Sequence, residues 1–197
     1  KLYTPWKFGL SLGHTVGRNL ALGATYEYAD YSNIDTRVND GGYYDWWYDE
    51  YYSTSSSDDV MNDHTEKTLK GVSTLKLGLE YKPIDNFAVR MGYNYVSPMY
   101  KSDGYKDVSL DSYGTNYSTT TDYTNWKSTN RFTLGLGYTI DKFTIDFAYQ
   151  YSAQKGDFHP FMDSYADYTH IDGSVENIDN YADKVEVKNN RNQFLLT

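Results

Sequence analysis

Strict two-residue alternation over residues 75–96, LKLGLEYKPIDNFAVRMGYNYV, constrains this chain more than any other feature. On the first arm Leu75, Leu77, Leu79 and Tyr81 share one face, and Lys76, Gly78, Glu80 and Lys82 share the other. After Pro83, Ile84, Asp85 and Asn86 the alternation resumes, with Phe87, Val89, Met91, Tyr93 and Tyr95 opposed to Ala88, Arg90, Gly92 and Asn94. A period of two is the signature of a strand, so the segment reads as a β-hairpin with one apolar and one polar face.

The same unit recurs along the chain. Ascending arms read LALGATYEYAD from Leu20, FAVRMGYNYVS from Phe87 and FTIDFAYQYSA from Phe143, and each ends in a Tyr-x-Tyr pair. Descending arms read FGLSLGH from Phe8, LKLGLEY from Leu75 and FTLGLGY from Phe132, and a seventh arm starts near Val185. Connections alternate between short turns near residues 16–19, 83–86 and 139–142 and long polar loops over roughly 39–66, 102–128 and 158–183. Loops of that length are uncommon in compact soluble domains, whereas short turns at one end and long loops at the other are the rule in outer-membrane barrels. Aromatics lie at both ends of the apolar face: Phe87, Phe143, Tyr81 and Tyr138 by the short turns, the Tyr-x-Tyr pairs by the long loops. Two belts bracketing an aliphatic band predict an all-β, antiparallel transmembrane β-barrel. The rival is a soluble β-sandwich or lipocalin-like barrel, which alternation alone does not separate from it.

Composition removes other classes. The chain has 197 residues, no cysteine, 23 tyrosines, a net charge of -9 and a mean hydropathy of -0.74. No apolar run reaches the roughly 18 residues of a membrane helix. Disulfides and thiolate metal sites are absent, and the acidic balance argues against a nucleic-acid partner. The opening KLYTPWKFG holds no signal-peptide core, so a leader is either cleaved or lies before an internal piece.

Single-chain bacterial barrels have an even number of strands, and seven are counted here. The last arm sets Thr197 level with Gly135, inside the apolar band. Residues 1–197 are therefore expected to be the carboxyl-terminal portion of one outer-membrane barrel domain, truncated at both ends.

The phrases YTPWKFGLSLGH, LALGATYEYADYS, LKLGLEYKPIDNFAVRMGYNYVSP and NRFTLGLGYTIDKFTIDFAYQYS resemble the carboxyl-terminal half of the FadL/TodX family of outer-membrane transport proteins, particularly its Bacteroidetes members. The resemblance covers nearly all the strands and is weak in the loops. It implies a 14-stranded barrel of which about seven strands are present, in the bacterial outer membrane, carrying hydrophobic molecules past an amino-terminal hatch that this sequence lacks. No site residue is carried over from it. The same family includes a shuttle component of a Bacteroidetes secretion system, which implies a non-uptake alternative.

Candidate site residues come from the residues themselves. The polar face presents Lys7, Glu27, Lys76, Glu80, Arg90, Arg131 and Asp146, four cations against three carboxylates. Glu80 and Arg90 meet across the turn as an ordinary cross-strand ion pair, or else Arg90 or Arg131 grips an acidic head group bidentately. Inward glycines at 9, 13, 23, 78, 92, 135 and 137 either relieve crowding or leave space for a plug. In the first long loop Tyr43, Tyr44, Trp46, Trp47, Tyr48, Tyr51 and Tyr52 suit capture of an apolar or sugar ligand, packing within the loop, or a protein partner. Asp58, Asp59 and Asp63 lack an EF-hand pattern and read as a solvated acidic loop.

His14 falls in the lower belt and His64, His159 and His170 in loops, with no ligand spacing among them, so no metal or cofactor is expected. No nucleophile elbow, zincin motif or cysteine nucleophile is present, so no enzyme is expected. The functional expectation is passive outer-membrane transport of small hydrophobic compounds such as long-chain fatty acids. Expected partners are outer-membrane lipid, lipopolysaccharide and the apolar substrate. The alternative is an outer-membrane scaffold or shuttle component docking a secretion or surface-assembly partner through its extracellular loops.

Overall fold

The computed structural model describes residues 1–106, 111–112, 115–116 and 122–197. In chain order the elements are β1 (Leu2–Tyr3), β2 (Lys7–Val16), β3 (Leu20–Asp30), β4 (Asp35–Asp45), β5 (Glu50–Ser57), α1 (Asp59–Thr68), β6 (Gly71–Ile84) and β7 (Phe87–Val96). They continue with β8 (Asp111–Ser112), β9 (Thr115–Asn116), β10 (Tyr123–Ile140), β11 (Phe143–His159), β12 (Ser164–Thr169), β13 (Val175–Asn180) and β14 (Val185–Leu196). The seven arms expected from alternation become one antiparallel sheet in the order β14-β11-β10-β7-β6-β3-β2, each strand beside its neighbour in the repeat. Among the described residues β2 and β14 pair on one side only.

Register keeps the two faces apart across the whole sheet. One hydrogen-bonded row joins His14, Leu22, Leu79, Met91, Leu134, Tyr149 and Phe194 without a polar interruption after the first. This apolar face is open: Phe194 is 71% exposed and Phe143 78%, while the fully buried apolar residues are only Ala29, Ala88, Tyr123 and Met162 among those described. A contiguous apolar surface of that extent on a water-soluble domain would be covered by a second layer. Here none of the described elements packs over it.

The belts are formed by cross-strand contact. Tyr93 lies on Phe132 at 4.9 Å and Tyr149 on Phe194 at 5.0 Å, with Phe87 and Tyr138 6.5 Å apart near the short turns. Hydroxyls of the upper belt reach away from the apolar band. Tyr93 donates to Asn130 Oδ1 and Tyr149 to Asn192 Oδ1, both at 2.7 Å, and Tyr26 shares a hydrogen bond with Ser73 at 2.9 Å. Each ring thus keeps its apolar body at the band and its polar tip on the wet side.

The register also sets an inclination. The row from Leu20, the first residue of β3, passes through Tyr81 to Val89, two residues past the start of β7, and through Leu136 to Phe147, four past the start of β11. Two residues of stagger per hairpin, at about 3.3 Å per residue against about 4.8 Å per strand, incline the strands by ~35° to the line of short turns. Membrane-spanning barrels tilt their strands by about 35–45°.

Turn chemistry agrees with the sequence in two places. Gly17 (φ 63°) and Asp141 (φ 53°) take the left-handed conformation that glycine and aspartate tolerate best. Pro83, expected in a turn, instead sits in the bulge between Tyr81 and Ile84, where the ladder is interrupted and its missing N–H costs no pairing.

The long connections differ from the expectation of polar loops. The first contains the β4–β5 hairpin and helix α1. Asp58 is 1% exposed and caps the helix by accepting a hydrogen bond from Met61 N at 3.1 Å, so this aspartate is not part of a solvated acidic loop. Asn62, one turn on, ties α1 to the hairpin base, accepting from Thr36 N at 2.7 Å and donating to Asp35, Thr36 and Ser57. Tyr123 to Ser128, expected in the second loop, extend β10; that loop also holds β8 paired with β9, and its residues 107–110, 113–114 and 117–121 lie outside the described residues. Phe158 and His159 complete β11, and the third connection holds the β12–β13 hairpin.

Adjacent residues on opposite faces test the assignment. Leu77→Arg is expected to cost about 2–4 kcal/mol in a bilayer-folding titration, and Gly78→Arg, which enters open space on the other face, under about 1 kcal/mol. Equal costs would show that the two faces are not lipid and lumen.

Candidate functional site

Alternation aims every second side chain of the seven long strands at the polar face, and the ladder stacks them in rows. Two separate ion clusters form there. Glu27 is held by Lys7 at 2.8 Å and Lys76 at 2.9 Å. Two strands are joined at Glu80 and Arg90, which face each other with Nε 2.7 Å from Oε2, and Lys82 lies 3.3 Å from the same carboxylate. Arg90 then crosses β10 to reach Asp146 on β11 at 2.7 Å.

That crossing explains two glycines. A Cβ at Gly137 would stand 2.6 Å from Asp146 Oδ1 and 3.0 Å from Arg90 Nη1, and one at Gly135 3.4 Å from Arg90 Cβ. The guanidinium passes over bare backbone. Crowding does not account for the others: Gly13, Gly23, Gly78 and Gly92 are directly paired across four adjacent strands, and a Cβ at Gly23 or Gly78 would meet nothing within 4 Å. Only Gly92 in this row is pressed, by Thr133 Oγ1.

Above the glycine row runs a polar one, Ser11, Thr25, Lys76, Asn94, Arg131, Ser152 and Arg191. Arg131 has no ion-pair or hydrogen-bond partner among the described residues. Beside it Asn94 Oδ1 is buried without a hydrogen bond. A cavity of about 500 Å³ opens between them, lined by Lys76, Asn94, Arg131, Thr133 and Gln150 over Gly92. The six polar-face candidates therefore divide. Glu27 and Lys76 pair within one cluster with Lys7, Glu80, Arg90 and Asp146 within another with Lys82, and Arg131 is left to face the cavity. Sequence reasoning set Asn94 on the polar face without singling it out and missed Arg191, which shares its row; continuing the alternation along β14 would have placed Arg191.

The loop aromatics lie on the β4–β5 hairpin and its tip. Tyr43 stacks on Tyr52 across the strands at 5.5 Å, and Tyr44 meets Trp46 edge-on at 4.9 Å. Asp45 Oδ1 accepts from Trp47 N at 2.9 Å and Tyr48 N at 3.3 Å, fixing the tip, and the Tyr44 hydroxyl donates to Asp49, which pushes its pKa above the ordinary phenol value. Trp46 and Trp47 are each 88% exposed, so apart from the Trp46 edge on Tyr44 both rings stand in water.

Histidines are scattered. His14 faces the apolar side of β2, His64 lies on α1 beside Tyr105, His159 stacks on Tyr123 at 4.4 Å, and His170 is 3.0 Å from Glu176. No group of three or more His, Asp and Glu poised for a metal occurs among the described residues, nor does any helix among them reach the length and apolarity of a membrane span.

Comparison with known proteins gives one structural likeness to report, the crystal structure of a Pseudomonas aeruginosa FadL homologue. It is 15% identical, with a TM-score of 0.45, over 98% of this chain and 34% of that one. This chain thus spans about a third of that protein's length. No family model matches the sequence, and no curated protein matches it.

The division of charges predicts a division of effects. Arg90→Ala leaves Asp146 and part of Glu80 unpaired and is expected to lower stability by about 1 kcal/mol, whereas Arg131→Ala changes it by less than about 0.5 kcal/mol. Urea unfolding midpoints of the two variants check this, and the reverse order would show that Arg131 is the structural cation.

Proposed function

We propose that the chain forms part of the wall of an outer-membrane β-barrel that lets small hydrophobic compounds, such as long-chain fatty acids, pass down their gradient. The observation that carries this reading is the two-faced sheet. Its apolar face lies open between two aromatic belts, and its polar face holds a cavity with an uncompensated arginine. The inclination of the strands and the resemblance of the strand motifs to the FadL/TodX family support it. On this reading the sheet is completed by further strands, because β2 and β14 run the same way and antiparallel closure between them needs an odd number more. Passage needs no nucleotide, since a gradient suffices.

Arg131 grips the acidic end of a substrate while its apolar body rests on bare backbone along the glycine row. A charge-assisted pair is worth about 1.5–3 kcal/mol, so the carboxylate of a fatty acid gains where the corresponding alcohol does not.

A second reading rests on the hairpin tip. Two adjacent tryptophans in water at the end of a rigid hairpin suit a protein partner as well as a ligand, and a surface scaffold would use them so.

Uptake by cells carrying the full-length protein tests the first reading. Arg131→Ala is expected to lower fatty-acid uptake about tenfold and leave the fatty alcohol of equal length unchanged. Equal loss for both, or none, would remove the acid-gripping role. Trp46→Ala with Trp47→Ala releasing a stoichiometric partner without altering uptake would favour the scaffold.

A further inference from the structure

Above the upper belt the outer wall carries a cavity of about 470 Å³ that the transport reading does not use. Lys70, Lys101, Lys127 and Lys184 line it, with Asp157 the only carboxylate among them. Four cations against one carboxylate is an unusual concentration in a chain of net charge -9.

Register fixes which wall this is. Along β11, Asp157 and His159 share a face with Tyr149 and Tyr151, since pairing with β14 runs unbroken from Phe147 to Phe158. That face is the apolar one. Tyr95, a belt residue of β7, forms the lower edge of the cavity. The lysines thus gather where the apolar band ends and lipid head groups begin.

The charges are arranged but not spent. Asp157 holds Lys127 at 2.7 Å and Lys184 at 3.6 Å. Lys101 donates to the Glu66 carbonyl at 2.7 Å, which orients it without neutralising it. Lys70 has no side-chain partner among the described residues. The cavity keeps a surplus of positive charge on tethered ammonium groups.

Directly below, a shallow apolar groove of about 620 Å³ runs over the same face, with Met91, Tyr93 and Phe132 at its near end. Met91, Tyr93 and Tyr95 are successive outward residues of β7, so groove and cavity meet along one strand.

We propose that the cavity seats the phosphate of a membrane lipid whose acyl chains lie in the groove beneath. A free phosphate ion would use the lysines and leave the groove idle, whereas a phosphorylated lipid uses both. The proposal rests on the reading of this face as lipid-facing. It assigns the lysines a role separate from the Arg131 cavity on the opposite face.

Retention of lipid by the full-length protein, followed by native mass spectrometry from neutral detergent, tests it. Dimyristoyl phosphatidic acid and dimyristoylglycerol share acyl chains and differ in the phosphate. The protein is expected to keep one phosphatidic acid and to prefer it over the diacylglycerol by about tenfold or more. Lys70→Gln, which breaks no bridge in the fold, reduces the preference, and Lys70→Gln with Lys127→Gln and Lys184→Gln abolishes it. Lys155→Gln, whose ammonium pairs with Glu186 outside the cavity, leaves it intact.

Equal retention of the two lipids, or an unchanged preference in the triple variant, would overturn the proposal. Displacement of the lipid by an equal concentration of inorganic phosphate would make this a free-anion site instead. Insertion into phosphatidylcholine vesicles, read by protease protection, separates the two levels. A protein that inserts but shows no phosphate preference retains its lipid-facing wall and loses this site, and one that does not insert loses both.

Discussion

The fold depends on keeping a period of two in step across seven strands. Side chains alternate between faces, so a slip of one residue between β3 and β6 would carry the row of Leu79, Met91 and Leu134 to the other side of the sheet from Leu22 and put Glu80 and Arg90 on the apolar one. What holds the register is the agreement of many weak cross-strand choices: Tyr93 on Phe132, Tyr149 on Phe194, Glu80 against Arg90, and hydroxyls that find Asn130 or Asn192 one step above. None is worth more than about 1 kcal/mol alone. Together they make every alternative register worse in several places at once.

The polar face shows the same economy in charge. Seven strands bring carboxylates and cations within reach, and the strong pairings close on themselves in two clusters. Each of these pairs is partly wet, so its worth is modest and its purpose is better described as cancellation. On the transport reading proposed above, a face with its charges paired in this way offers little field to an apolar solute. Against that ground the Arg131 guanidinium stands out, since among the described residues no carboxylate pairs with it and it faces the cavity.

How far the sequence spoke depended on the range of the interaction. All seven long strands were legible, because alternation is local and each arm repeats it. The Glu80–Arg90 pair was legible for the same reason, two residues facing across one turn. Asp146 as a second partner was not, since it needs the register between hairpins and the bare backbone of Gly135 and Gly137. The strands β10 and β11 run past their belts on polar residues such as Thr124, Asn125 and Asp157, where pairing continues after the apolar signal has stopped. Helix α1 was hidden because its sequence, DVMNDHTEKT, has few apolar residues to mark a face. It is set instead by Asp58 and Asn62, whose partners lie in β4 and β5 or in the helix itself. The four lysines of the basic cavity come from four separate stretches of chain, and no one of them looks basic when read alone.

The paired glycines at 13, 23, 78 and 92 carry a further consequence. Along that row the polar face is bare peptide backbone, with a neighbouring side chain, Thr133, leaning over it only at Gly92. A contact made elsewhere on a protein surface freezes side chains, at about 0.5–1.5 kcal/mol for each flexible one. Contact with this strip freezes none. On the transport reading proposed above, a molecule moving along it meets a surface whose entropy is already spent, in the folding of the strands themselves, so neither arrival nor departure has to be compensated by order elsewhere.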